Sequence, residues 1–188
     1  MSHTALLVMD VQQGIVGRIA DDGYVPRLAG AVEAARSAGI PVIYVVVGFR
    51  DGYPEISTRN KSFGAIRGGG GAAFTGADPG SAIHPGVAPL AGDVVVTKKR
   101  VSAFAGSDLD LVLRAGGIDH LVLSGISTSG VVLSTLCQAA DLDFGLTVLE
   151  DGCVDPDPQV HQVLTQQIYT KRADVVTIEE WTKSLAGA

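Results

Sequence analysis

The sequence predicts an α/β fold with a single six-stranded parallel sheet and helices on both faces, a Rossmann-like three-layer sandwich. Two observations predict it. Short runs of apolar residues recur along the chain without polar alternation, as strands buried on both faces require. Most of these runs are separated by stretches with helical apolar spacing, and strand–helix alternation of this kind builds parallel sheets through right-handed crossovers. The 188 residues suffice for one domain with a sizeable core.

The elements follow in order. "ALLVMD" (5–10) reads as the first buried strand. Leu28, Val32 and Ala35 then repeat at helical spacing, and Ala38-Gly39 stops that helix. "PVIYVVV" (41–47) is a second strand rich in β-branched residues, and "DVVVTK" (93–98) a third. Ser107 is the expected N-cap of a helix with Leu109, Val112 and Leu113 on its face and Gly116-Gly117 at its end. "HLVLSG" (120–125) is the fourth strand, and the next helix buries Val132, Leu136, Ala139 and Ala140. "LTVLED" (146–151) is the fifth. Asp155 is the expected cap of a helix with Pro156 in its first turn and an apolar face of Val160, Val163, Leu164 and Ile168. "DVVTI" (174–178) is a short sixth strand before a C-terminal helix. Residues 1–188 thus read as one domain, interrupted by a long Gly-rich connection at 49–91 that includes "RGGGGAAFTGADPG". Connections of this length are usually functional, so an active-site or interface loop is expected there. The run lacks the lysine spacing and strand–loop–helix setting of a phosphate loop.

Bulk properties exclude several function classes. A net charge of −6 argues against a nucleic-acid surface. No apolar stretch approaches the roughly 18 to 20 residues of a membrane-spanning helix. The sequence begins without a basic flank and long apolar run, and its two cysteines, Cys137 and Cys153, are expected to be reduced; cytoplasmic residence is the expectation.

In an open parallel sheet, ligands bind beyond the carboxyl ends of the strands. Asp10 ends the first strand, Lys98 the third, and "GISTSGV" follows the fourth. A carboxylate after five apolar residues is costly unless it is paired, and Lys98 stands at a matching strand end. Such a pair holds a proton donor or acceptor at an altered pKa. Strand alternation points Lys99 away from Lys98. The turn offers backbone N–H groups at a helix start, suited to a carbonyl oxygen or an anion. The hydroxyls of Ser127, Thr128 and Ser129 either bind substrate or cap the helix.

Three stretches, "LLVMDVQ", "VTKKRVSAFAGSDLDLVLRAGGIDHLVLSGISTSG" and "LEDGCVD", resemble the isochorismatase-like hydrolases, a group that includes isochorismatases, nicotinamidases and N-carbamoylsarcosine amidases. The resemblance spans residues 5–178. It implies the same six-stranded fold, Asp10 and Lys98 as catalytic residues, and a cis peptide between Ile126 and Ser127 that turns the N–H groups of Ser127 and Val131 toward substrate. In the amidase members a cysteine nucleophile stands at the seventh position of the turn; counted from Gly125, that position is Val131. Cys137 lies six residues on, about 120° further around a helix, and is expected in or near the core. Cys153 follows the fifth strand and reads as a small structural residue. The nicotinamidases of this group have a metal site built from an Asp-x-His pair and a further histidine between strands two and three. Here only His84 lies between Gly48 and Lys98, so no metal and no cofactor is expected. His84 is expected to shape its loop, and His3, His120 and His161 look peripheral.

The expectation is therefore a hydrolase without a cysteine nucleophile. Asp10 is the general acid/base, Lys98 its electrostatic partner, and the Ser127 and Val131 N–H groups bind an oxyanion. Gln12, Phe104 and Thr128 are the substrate-binding candidates. The partners expected are a small-molecule substrate and further copies of the chain, as a dimer or tetramer. Two alternatives stay open: a non-catalytic binding protein on the same fold, and an amidase whose nucleophile has moved to Cys153 or a turn serine.

Overall fold

Strand β1 (Thr4–Met9) occupies the middle of the sheet, between β2 (Val42–Val47) and β4 (His120–Ile126), in a computed structural model that describes residues 3–69 and 71–186. β3 (Val94–Lys98) lies outside β2, and β5 (Gly145–Val154) and β6 (Asp174–Val176) follow β4, giving the order β3-β2-β1-β4-β5-β6 with every pairing parallel. The order reverses between β1 and β4, where open α/β sheets place their ligand crevice.

Strand alternation divides the core in two. Ala5, Leu7 and Met9 join Ile43, Val45, Leu121 and Leu123 on one face; Leu6 and Val8 join Val42, Tyr44 and Val122 on the other. The first face is covered by α4 (Leu109–Ala115) through Leu109 and Leu113 and by α5 (Leu133–Asp141) through Leu136 and Ala139. The second is covered by α2 (Tyr24–Ser37), which follows a single-turn α1 (Gln13–Val16), and by α7 (Ile178–Leu185) through Ile178 and Trp181. The β3 strand departs from the expectation of full burial. It is an edge strand, and Val94 and Val95 are exposed there.

The 49–91 connection has structure of its own. Its helix α3 (Lys61–Gly68) is capped by Asn60, whose side chain accepts the Phe63 N–H at 3.0 Å. Phe49, Tyr53, Ile56 and Phe63 form a separate apolar cluster with Val47, with Phe49 edge-on to both Tyr53 and Phe63. Asp78 accepts the N–H groups of Phe74 and Gly80, and His84 Nδ1 that of Gly86, so His84 shapes its loop as expected. Gly70 of the Gly-rich run lies outside the described residues.

Several boundaries differ from the sequence reading. β5 continues to Val154, so Cys153 is a strand residue rather than one beyond the strand. The cap of α6 (Pro158–Val163) is Asp157, with Pro158 at its first position, not Asp155 and Pro156. Both Asp-Pro pairs fit the pattern, and the longer β5 consumes the residues that would have separated the first pair from the sheet. Asp108 occupies the N-cap position of α4, although Ser107 Oγ still accepts the Leu109 N–H at 3.3 Å.

Candidate active site at the β1, β3 and β4 ends

Asp10 leaves β1 with a φ of +57°, while its N–H still bonds the Val45 carbonyl at 2.8 Å. Lys98, the last residue of β3, pairs in the sheet register with Val47, the last residue of β2. Its Nζ lies 2.9 Å from Asp10 Oδ2, with the two side chains 2% and 9% exposed, and donates to the Arg100 carbonyl at 3.0 Å. The other carboxylate oxygen, Oδ1, is buried and has no hydrogen-bond partner among the described residues. Burial pushes the Asp10 carboxyl above its ordinary range, and the Lys98 cation pulls in the opposite direction without cancelling it. A buried carboxyl that is paired on one oxygen and free on the other is poised to exchange a proton with whatever meets the free oxygen.

Gln12 holds the frame around this pair. Its Nε2 donates to the carbonyls of Val47 (3.0 Å) and Ser81 (2.8 Å), and its Oε1 accepts the Val47 N–H at 2.9 Å. Both Nε2 hydrogens are thereby engaged, and the residue has no exposed surface.

On the other side stands the turn after β4. Met9 pairs with Gly125, so Asp10 and Ile126 leave their strands side by side. Gly125 has a φ of +144°, and a Cβ there would overlap the Met9 carbonyl oxygen. The peptide between Ile126 and Ser127 is cis, as the resemblance implied. The Ser127 carbonyl then accepts the N–H groups of Gly130 (3.1 Å) and Val132 (3.2 Å), opening a wide turn over Thr128–Val132 that leads into α5. Val131 is buried in the core with Met9, Ala103, Phe104 and Leu136. Phe104 packs beside Phe144, with ring centres 6.1 Å apart.

The side chain of Ser127, the residue preceding the turn, does not cap the helix. The Thr128 Oγ1 instead meets His161 Nδ1 at 2.8 Å, the Tyr169 hydroxyl donates to the Thr128 carbonyl at 2.5 Å, and the Ser129 N–H donates to Asp155 at 2.7 Å. His161 is therefore not peripheral. No local sequence signal joined Asp155, His161 and Tyr169 to a turn at least 26 residues upstream; only the pairing of β4 with β5 brings them there. His3 and His120 stay at the opposite, amino-terminal end of β4, where His120 bonds Thr147.

Cys153 pairs with Gly125 across the sheet, and burial pushes its thiol up to about 12. Cys137 packs half-buried against the core, as expected. A cavity of about 510 Å³ opens on the β5 side of the turn, bounded by Arg18, Arg27, Cys153, Asp155 and His161 among others; neither Asp10 nor Lys98 borders it. Among the described residues, no group of three His, Cys, Asp or Glu side chains is placed to hold a metal ion, and no helix is long and apolar enough to cross a membrane.

The sequence model of the Isochorismatase domain matches residues 4–180. The chain belongs to the isochorismatase family. Relatives of this isochorismatase-family chain span its whole length. The uncharacterized isochorismatase family protein YecD of Escherichia coli O157:H7 is 32% identical, over 97% of this chain and 96% of its own. Ureidoacrylate amidohydrolase RutB of Stutzerimonas stutzeri is 30% identical, over 100% of this chain and 84% of its own. Among solved structures, an isochorismatase family protein from Desulfovibrio vulgaris superposes with a TM-score of 0.85 at 30% identity, covering 99% of this chain and 100% of that one. The six-stranded parallel sheet flanked by helices is the fold of this family.

Proposed function

We propose that this family member hydrolyses a small molecule bearing an enol ether or an amide, without a cysteine nucleophile. The observation that carries the reading is the buried Asp10–Lys98 pair with one carboxylate oxygen left unpartnered beside the cis-peptide turn. Val131 stands where a family amidase has its cysteine and has no atom able to attack a carbonyl. Cys153 does not substitute for it, because a thiol held protonated up to about 12 offers almost no thiolate at neutral pH.

For an enol ether, protonated Asp10 gives its proton to the double-bond carbon. Water adds to the resulting oxocarbenium carbon and gives its proton back to Asp10, and the hemiketal collapses to a ketone as its hydroxyl proton leaves with the alcohol. For an amide, ionised Asp10 accepts a proton from the attacking water, and the same proton passes to the leaving nitrogen. RutB, an amidohydrolase by name, favours including amides among the substrates tested. Lys98 holds Asp10 in place and offsets its charge. In the amide route the Ser127 and Val131 N–H groups receive the developing negative oxygen; Phe104 bounds the substrate's space, Thr128 holds the turn, and Gln12 braces the Asp10 segment.

The test is turnover of a panel of vinyl ethers, small amides and ureido compounds, with and without iodoacetamide, by the parent and by Asp10→Asn. Turnover that resists the alkylator and falls about 10²–10⁴-fold in Asp10→Asn is expected. Alkylator-sensitive turnover, or an Asp10→Asn enzyme of parental rate, would sink the reading. Saturable binding with no turnover anywhere would make the chain a binding protein.

A further inference from the structure

The turn at residues 127–132 is gripped by one distant stretch of chain, residues 155–169. A single peptide group, Thr128–Ser129, is held at both ends: its carbonyl by the Tyr169 hydroxyl at 2.5 Å and its N–H by the Asp155 carboxylate at 2.7 Å. The carbonyl and N–H of a trans peptide point in opposite directions, so the two grips come from opposite sides. The third contact is Thr128 Oγ1 to His161 Nδ1 at 2.8 Å, which fixes the rotation of the Thr128 side chain. Three contacts define the orientation of a plane. Thr128 and Tyr169 have no exposed surface, so water does not replace a lost partner without rearrangement.

The direction of the third bond follows from what is buried. A Thr128 hydroxyl that donates to Nδ1 uses its only hydrogen. One that accepted from Nδ1–H would bury that hydrogen with no acceptor among the described residues, at a cost that favours the first arrangement.

We propose that His161 is a positioning residue for the oxyanion turn, acting through Thr128, with Asp155 as its counterpart on the Ser129 N–H. The inference rests on the reading of the Ser127 and Val131 N–H groups as oxyanion donors. It adds that their aim is set from the β5–β6 connection, through the Thr128 hydroxyl and the Ser129 N–H. In the proposed reaction His161 touches no reacting atom.

The experiment is amide hydrogen exchange and ¹⁵N NMR on the full chain. His161→Ala is expected to speed exchange at Ser129 and Gly130 about tenfold, the loss of one buried hydrogen bond. His161→Asn, whose amide takes the place of Nδ1, restores parental exchange. Thr128→Val reproduces the His161→Ala effect, shifts the His161 Nδ1 resonance, and adds nothing in the double variant. On a substrate from the panel, His161→Ala lowers kcat about tenfold with KM unchanged, and His161→Asn recovers it. Turn amides unmoved in His161→Ala, or a His161→Asn protein as perturbed as His161→Ala, would overturn the proposal. Turn amides that respond as expected in a protein turning over nothing support the clamp and count against the hydrolase reading, so the two fail separately.

Discussion

The two halves of the site are built on opposite principles. At the β1 and β3 ends, two charges lie buried together and one carboxylate oxygen of Asp10 has no partner among the described residues. At the turn after β4, the exposed-looking polar groups of the sequence are tied down: Thr128 by His161 and Tyr169, Ser129 by Asp155. One half leaves a buried polar atom unpaired, and the other ties its backbone and the Thr128 side chain into hydrogen bonds. The difference teaches that reactivity here is to be sought where hydrogen bonding is incomplete, not where hydroxyls are most numerous.

The largest expected effect breaks the reactive half directly. Asp10→Asn removes the proton-exchanging group and is expected to lower kcat about 10²–10⁴-fold, measured on whichever panel substrate the parent hydrolyses. The pH profile sharpens the point. With the Asp10 carboxyl raised by burial, enol-ether hydrolysis needs its protonated form and falls as pH rises through that raised value. Amide hydrolysis needs the ionised form and rises over the same range.

Next comes Lys98→Met, which leaves the Asp10 carboxylate buried without its cation. A loss of about 3–5 kcal/mol in urea unfolding at neutral pH is expected. Because the Asp10 pKa is raised in the folded state, protonation favours folding. The deficit shrinks as pH falls and grows as pH rises through the folded value. A deficit that does not change with pH would show that Lys98 matters for packing and not for charge.

Much of this contrast was legible in the sequence, and the part that was not has a physical reason. Asp10 and Lys98 announce themselves because a charge at the end of an apolar run has few structural uses, and the strand ends put both at one edge of the sheet. Val131 was legible by counting along the turn. The partners of the turn were not. His161 and Asp155 sit on a polar stretch that reads equally well as a solvent-facing helix start, and their contacts depend on how far β5 extends, which its apolar pattern leaves open. Gln12 was expected to bind substrate, yet it pairs at two points with Val47 and gives its second amide hydrogen to the Ser81 carbonyl. A side chain that mimics a backbone pairing leaves no trace in composition or spacing.

A smaller effect tests the quiet half. Cys153, whose thiol burial pushes up to about 12 in the fold, makes folding less favourable as pH rises above the ordinary thiol range toward that value. Cys153→Ala is expected to flatten the alkaline limb of a stability-versus-pH curve, and the native thiol is expected to stay unlabelled by iodoacetamide at neutral pH. The smallest effect is a control. Arg27 and Asp21 lie 2.6 Å apart, closer than Asp10 and Lys98, yet their side chains are 40% and 35% exposed. Arg27→Ala is expected to cost less than about 1 kcal/mol in the same urea assay. A larger loss would mean that distance, and not burial, sets the worth of ion pairs in this molecule.

The 49–91 excursion returns to the sheet at several anchored points. The Phe49 N–H bonds the Phe74 carbonyl at 2.7 Å, the Gln13 N–H that of Ala82 at 2.9 Å, and the His84 N–H that of Val11 at 2.9 Å. Between the first pair of anchors, Tyr53, Ile56 and Phe63 pack with Val47 at the end of β2, and the Glu55 carbonyl accepts from Arg100, so this part of the excursion is tied to the strand end beside Lys98. Doubling such a loop adds only about 0.6 kcal/mol of closure entropy. Added length in this excursion is therefore cheap in entropy, and what limits it is keeping the Val47 cluster and the Arg100 contact that flank the Asp10–Lys98 pair.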